Sequence, residues 1–267
     1  DDSGMCGLGF FTKGGCRFER AGRDRGVSWL LERMVHRTNQ KYSEEEVMQA
    51  AYDYSGQFLM KTEYREVVHH LAQCPKWHLE PCLDVMTSII FAPTFAPEDV
   101  ERGKLDAQRA AENVYREPSM VLFEHAHRTA FSGATIGEPH WPEPDELAKI
   151  TAEDLHAYSR RFWNPDRVCV VVSGATQEEV QPILETLFER LPPFPPSDVV
   201  AEEAQYTGGE CMIYNEDAPP TSDEKFMDRN NTHVALFFEG LPESHPDFLA
   251  LGVLQSMLGG GTAFSQG

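Results

Sequence analysis

The chain has 267 residues, 41% hydrophobic and 25% charged, values of a globular protein with room for two ordinary domains. Its formal net charge of −20 disfavours nucleic acid as a partner, because a phosphate backbone needs Lys/Arg patches, and favours a cationic ligand instead. No stretch approaches the ~20 apolar residues of a membrane helix, so any contact with a membrane is expected to run through partners.

In chain order, residues 5–12 read as a short strand and Lys13-Gly14-Gly15 as a turn, after which 16–19 extend again. Residues 26–36 predict a helix, with Val27, Leu30, Leu31 and Met34 at the spacing of one face. Ser43 followed by Glu44, Glu45 and Glu46 starts a capped helix that Gly56 stops. Residues 57–63 and 66–72 read as a strand pair. A Leu/Val/Met/Ile-rich helix follows over 79–91, then a polar helix over 98–115 and another from Pro118 to about residue 131. Residues 132–149 form a Gly/Pro loop. Thr151 caps a helix ending near Trp163, residues 168–173 read as a buried strand, and Thr176 caps a helix to about 191. The run Pro192-Pro193-Phe194-Pro195-Pro196 is a linker. Residues 206–214 and 232–238 then read as strands, 215–231 as a polar loop, and 246–258 as a helix that runs into Gly259-Gly260-Gly261. The pattern is α/β, an α+β layering in which strands and a helix restart after the linker, a weak sign of duplication.

Six cysteines, Cys6, Cys16, Cys74, Cys82, Cys169 and Cys211, form no C-x-x-C pair, so free thiols in a reducing compartment are expected. The start at Asp1 carries neither an initiating Met nor a transit segment, as expected of a processed chain or an internal fragment. His69 and His70 fall on opposite faces of a strand, and His125 and His127 do not share a helix face, so neither pair makes a metal site. There is no G-x-S-x-G elbow, P-loop or dinucleotide fingerprint.

Three segments together resemble the M16 metallopeptidase family, and within it the alpha-type subunits of mitochondrial processing peptidases and the related core proteins of cytochrome bc1 complexes. The run Phe11-Thr12-Lys13-Gly14-Gly15-Cys16-Arg17-Phe18-Glu19 is similar to the family's first strand and the element after it. The run from Gly26 to Met34 falls where the family carries its zinc motif. Residues 232–240 and 254–265 look like the alpha-type strand and glycine-rich loop. An active member has H-x-x-E-H on a helix, with both His binding zinc and the Glu activating water. Here those positions read Trp29-Leu30-Leu31-Glu32-Arg33. Trp does not ligate zinc, and Arg brings a fixed positive charge. The family's distal Glu ligand falls near 110–112, at Ala110 to Glu112. The resemblance therefore implies no zinc or other cofactor in this chain and no catalytic residue. Glu32 is expected to be a surface or ion-paired carboxylate.

The glycine run has two readings. Gly259 is the ordinary residue after a helix, whereas Gly-Gly-Gly-Thr-Ala-Phe-Ser exposes backbone groups and adapts to an extended peptide. The resemblance makes Gly259, Gly260, Gly261, Thr262, Phe264 and Ser265 a presequence-binding loop. The expected organisation is a first M16-like domain over 1–195, a linker over 196–204, and the start of a second domain over 205–267. A mixed sheet covered by helices is expected. The implied role is presequence capture in the mitochondrial matrix, or on the matrix side of the inner membrane, beside a beta-type subunit that holds the zinc. The peptide would lie extended and add a strand to a sheet edge. The alternative is a purely structural core subunit of complex III, with cytochrome b and cytochrome c1 as neighbours. The acidic surface, including the carboxylates of 216–228, suits a basic presequence, although a plainly solvated loop explains that segment equally well.

Overall fold

β1 (Met5–Lys13) is an inner strand of the sheet, with β3 (Val67–Pro75) on one side and β4 (Cys169–Ser173) on the other. β2 (Leu59–Glu63) completes the order β2-β3-β1-β4. The computed structural model describes residues 4–20, 23–54, 58–63, 65–115, 117–132, 135–194, 199, 203–213 and 232–259. Over the described strands the expected mixed sheet is antiparallel at all three pairings. The chain divides into two compact units, Asp1–His233 and Val234–Gly267.

The period of two along a strand sorts the sheet's faces. Cys6, Leu8, Phe10 and Thr12 of β1 are buried, as are Val68, His70, Ala72 and Cys74 of β3. Their common core holds side chains of α1 (Val27–Leu31), α3 (Leu79–Phe91) and α7 (Ala152–Phe162). Leu30, Leu83, Leu155, Tyr158 and Phe162 are sealed from solvent within it. Each such apolar side chain contributes roughly 1.5–3 kcal/mol by leaving water. Two buried polar groups are matched across this core: Thr12 Oγ1 donates to Phe162 O at 2.8 Å, and the Gly15 N–H donates to the Tyr158 hydroxyl at 2.9 Å. Aligned, these two bonds tie the end of β1 to α7.

The remaining helices of the first unit are α2 (Glu44–Asp53), α4 (Pro97–Val114), α5 (Pro118–Ala130), α6 (Pro144–Lys149) and α8 (Gln177–Phe188). The caps expected at Ser43, Thr151 and Thr176 all form capping boxes with the acidic residue at the third helical position, each worth about 1 kcal/mol. α4 buries only Asp99, Val100, Gly103 and Ala107, a narrow stripe on an otherwise polar helix. Gly103 sits on that stripe because a Cβ there would meet Met34 Sδ at 2.4 Å, so the helix approaches the α1 segment closely. In the second unit α9 (Phe248–Met257) is the described helix. No described helix is long and apolar enough to cross a membrane.

Five expectations are corrected. The Gly/Pro loop expected over 132–149 ends in the helix α6, which Pro144 opens and a capping box of Glu143 and Glu146 starts. The helix expected over 26–36 is the five-residue α1. Beyond it Arg33, Met34 and Arg37 bond three residues back, to Leu30, Leu31 and Met34, the tighter winding of a 3-10 turn. Residues 16–19 do not extend: Cys16–Phe18 is a 3-10 turn. The strand expected to be buried at 168–173 is β4, paired to β1 alone among the described residues, with Val171 51% exposed. Its valines reflect β-branched strand preference rather than burial. Residues 206–213 and 232–238 join no ladder among the described residues. A strand needs a partner for its backbone groups, and Val234, Leu236 and Phe238 stand exposed.

Candidate functional site

The segment that resembles the position of a zinc motif begins at a sharp backbone turn. Gly26 precedes α1 with φ 79, in the left-handed region, and a Cβ there would lie 2.3 Å from Pro142 Cβ. Glu19 is buried beneath this start. Its carboxylate accepts the Gly26 N–H at 2.8 Å, the Ser28 N–H at 2.8 Å and the Ser28 hydroxyl at 2.6 Å. Burial raises the Glu19 pKa, and the Ser28 and Gly26 bonds oppose that rise. Glu19 thus satisfies backbone donors that the short helix leaves open.

α1 and the turn that follows it then carry Trp29, Glu32 and Arg33 toward α4 and the segment at His140. Trp29 is buried and donates its indole N–H to Ala107 O at 3.0 Å. The Arg33 guanidinium carbon stands 3.5 Å from the centroid of the Trp29 ring. The same group donates to Trp29 O at 2.9 Å and to Glu32 Oε2 at 2.6 Å. Desolvation lowers the Arg33 pKa and the Glu32 charge raises it. Glu32 is therefore an ion-paired carboxylate, its side chain 9% exposed. His140 meets the Trp29 ring edge-on at 5.3 Å. Its Nε2 is 3.9 Å from Glu32 Oε1, and its Nδ1 is 3.8 Å from Cys16 Sγ. Burial pushes the Cys16 thiol up to about 12, with Glu19 adding to the rise, so this Cys–His–Glu sequence of contacts lacks a thiolate nucleophile at neutral pH. Arg65, at φ 62, ties the neighbourhood together by pairing with Glu124 at 2.7 Å and bonding Glu138 O.

The residues do not fit a zinc ion. An indole and a guanidinium stand where imidazoles would be required, and a positive charge already occupies the space beside Glu32. Ala110, near the family's distal ligand position, packs against the core, and Glu112 is exposed and accepts a 3.0 Å bond from Gln108. Among the described residues no three His, Cys, Asp or Glu side chains are grouped to hold a metal. His69 lies against Phe11 at 5.7 Å and His70 against Trp163 at 4.6 Å, which separates the pair by face. His127 Nδ1 bonds Phe123 O at 2.8 Å within its own helix. A cavity of about 630 Å³ lined by Phe11, Lys13, Val67 and Arg167, among others, includes none of the motif residues.

Of the expected loop, Gly259 is described. It follows α9 with φ 98 and donates its N–H to Ser256 O at 3.3 Å, as a helix-ending glycine does. Gly260, Gly261, Thr262, Phe264 and Ser265 lie outside the described residues, as do the carboxylates of 216–228. The residues around the motif that sequence reasoning missed are Cys16, His140, Ala107 and Trp141, whose ring stands 6.3 Å from that of Trp29. They reach it only through tertiary packing and share no periodicity with it.

Comparison with known proteins fits this geometry. Residues 2–141 match the family model "Insulinase (Peptidase family M16)", and residues 149–266 match "Peptidase M16 inactive domain". A Schizosaccharomyces pombe protein named "Probable mitochondrial-processing peptidase subunit alpha" is 28% identical over 98% of this chain and 51% of its own length. The Caenorhabditis elegans mitochondrial-processing peptidase subunit alpha is 26% identical over 97% of this chain and 52% of its own. An Arabidopsis thaliana protein named as a beta subunit is 27% identical over 94% and 46%. The chain thus spans about half the length of the curated relatives it matches. A solved protease from Helicobacter pylori shares the fold at a TM-score of 0.66 and 14% identity, over 76% of this chain and 49% of that one. With a family model covering residues 2–141 of 267, the chain belongs to peptidase family M16.

Proposed function

We propose that this chain serves in the non-catalytic, alpha-type subunit of a mitochondrial processing peptidase. The replacement of both imidazole positions by Trp29 and Arg33, with the guanidinium stacked on the indole and paired to Glu32, carries this reading. Similarity to alpha subunits over nearly the whole chain supports it. A beta-type partner bearing an intact H-x-x-E-H supplies the zinc and the bond cleavage. This chain supplies substrate capture, with basic presequences drawn by its acidic surface and met by Gly259, Gly260, Gly261, Thr262, Phe264 and Ser265. Its place is the mitochondrial matrix. Gly259 ends a helix with φ 98, and one glycine satisfies that role, so a run of three supports the loop reading.

Isolating the native assembly and identifying its subunits by mass spectrometry tests the reading. A beta-type partner alone, with peptide cleavage and zinc only in the complex, is the expected result. Stoichiometric zinc and cleavage by the isolated chain would overturn it. Cytochrome b and cytochrome c1 in equal amounts would instead place the chain as a core subunit of complex III.

A further inference from the structure

The turn that opens α3 repeats, at the surface, a set of side chains that the degenerate motif holds inside. In the motif, Trp29-Leu30-Leu31-Glu32 puts an indole and a carboxylate three residues apart. Arg33 completes the group by stacking on the indole and pairing with Glu32. Trp77-His78-Leu79-Glu80 has the same spacing, W-x-L-E, but its next residue is Pro81, which brings no charge. Lys76–His78 is a 3-10 turn that leads directly into α3 at Leu79. Residues three apart on a helical turn are neighbours on its surface.

Trp77 is 75% exposed, whereas Trp29, Trp141 and Trp163 are buried. Its ring is braced by neighbours: it stands 6.2 Å from the His78 ring, which stands 5.0 Å from that of Tyr54 at the end of α2. Exposed carboxylates flank this aromatic row in sequence, Asp53 before Tyr54 and Glu80 after Trp77. Glu80 makes no hydrogen bond or ion pair among the described residues. Lys76, the nearest cation in sequence, is engaged by Glu179 at 2.9 Å. The surface group therefore has the indole and the carboxylate of the motif and lacks the cation.

We propose that Trp77 and Glu80 bind an arginine side chain of a basic peptide, the guanidinium lying on the indole face and donating to the Glu80 carboxylate. A guanidinium is planar, weakly hydrated and always charged, so it stacks on an aromatic ring and bonds a carboxylate at once. Arg33 does both inside this fold, on Trp29 and Glu32. The charge of the chain, −20, favours such a ligand over an anionic one. Resting on the function proposed above, the peptide is the presequence, and this is a second contact point for it, apart from the glycine run.

The test measures, by fluorescence anisotropy at low salt, the binding of a dye-labelled Arg-rich peptide to the full-length protein in its native assembly. Trp77→Ala and Glu80→Gln are each expected to weaken binding about two- to five-fold. The double variant is expected to lose less than the product of the two single losses, because both residues hold one guanidinium. Equal affinity of the wild type and Trp77→Ala would overturn the site and leave the presequence reading standing, as would a double variant that loses the full product. Absence of binding by the wild type would overturn both. Self-association that Trp77→Ala abolishes, with peptide binding unchanged, would give the face to a second copy of the chain and overturn the proposal. Glu80→Gln keeps the size of the side chain and decides the matter even if Trp77→Ala fails to fold.

Discussion

Arg33 changes the chemistry of its site by being a cation that cannot leave. Glu32 keeps a positive partner at 2.6 Å without any metal, and the guanidinium covers the face of Trp29. Arg33→Met is expected to destabilise the fold by about 1–3 kcal/mol, because a mostly buried carboxylate loses its charged donor. In a urea-unfolding double-mutant cycle with Glu32→Gln, part of that loss is expected to be recovered; fully additive losses would show that the pair does not couple. His70 makes a separate prediction. Burial, with smaller contributions from His69 and His36, lowers its pKa to about 3. Between the ordinary pKa near 6.5 and that value the unfolded chain binds a proton that the folded one does not. Stability therefore falls as pH drops below about 6.5, by up to about 1.36 kcal/mol per pH unit from this group. His70→Phe keeps an aromatic ring against Trp163 and removes the titration. The urea midpoint of the wild type is expected to fall further than that of His70→Phe between pH 7 and pH 5; parallel curves would refute the assignment.

At the scale of elements, the backbone turn at Gly26 sets the direction of α1. Gly26→Ala would force a side chain into left-handed backbone and against Pro142, a loss of about 2 kcal/mol or more. Gly103→Ala meets chiefly the thioether of Met34, a pliable neighbour, and gains about 1 kcal/mol of helix propensity. Its net loss is expected to be the smaller of the two, and thermal melting of both variants checks the order. The helices were legible because their caps are local: Ser43, Thr151 and Thr176 need only the residue three positions on. The exposure of β4 was not legible, since five consecutive residues such as Cys169–Ser173 read alike at a sheet's centre and at its edge. Residues 206–213 and 232–238 carry strand-like composition without a described partner strand, and composition does not say where a partner is. The degenerate site was half legible. Trp29, Glu32 and Arg33 share one short motif, whereas His140 and Cys16 converge on it through the packing of distant segments.

At the scale of the molecule, charge is the property most directly tied to the proposed role. The net −20 arises from 43 Asp+Glu against 23 Lys+Arg, and many of the cations are already paired, as Arg37 is with Glu44 and Asp106 and Arg102 with Glu44 and Asp99. The field left over is negative and attracts a basic peptide before any specific contact forms. Such attraction is screened over about 10 Å at 0.1 M salt and about 3 Å at 1 M. Binding of an Arg-rich presequence peptide to the complex is therefore expected to weaken several-fold between about 50 mM and about 300 mM salt, mostly through a slower association rate. A peptide of the same length with each Arg replaced by Gln is expected to bind more weakly at low salt and to show little dependence on it. Stopped-flow association of the two peptides across the salt series separates the alternatives. Equal salt dependence for both would mean that the acidic surface serves solubility alone, and capture would then rest on short-range contacts with the backbone of the peptide.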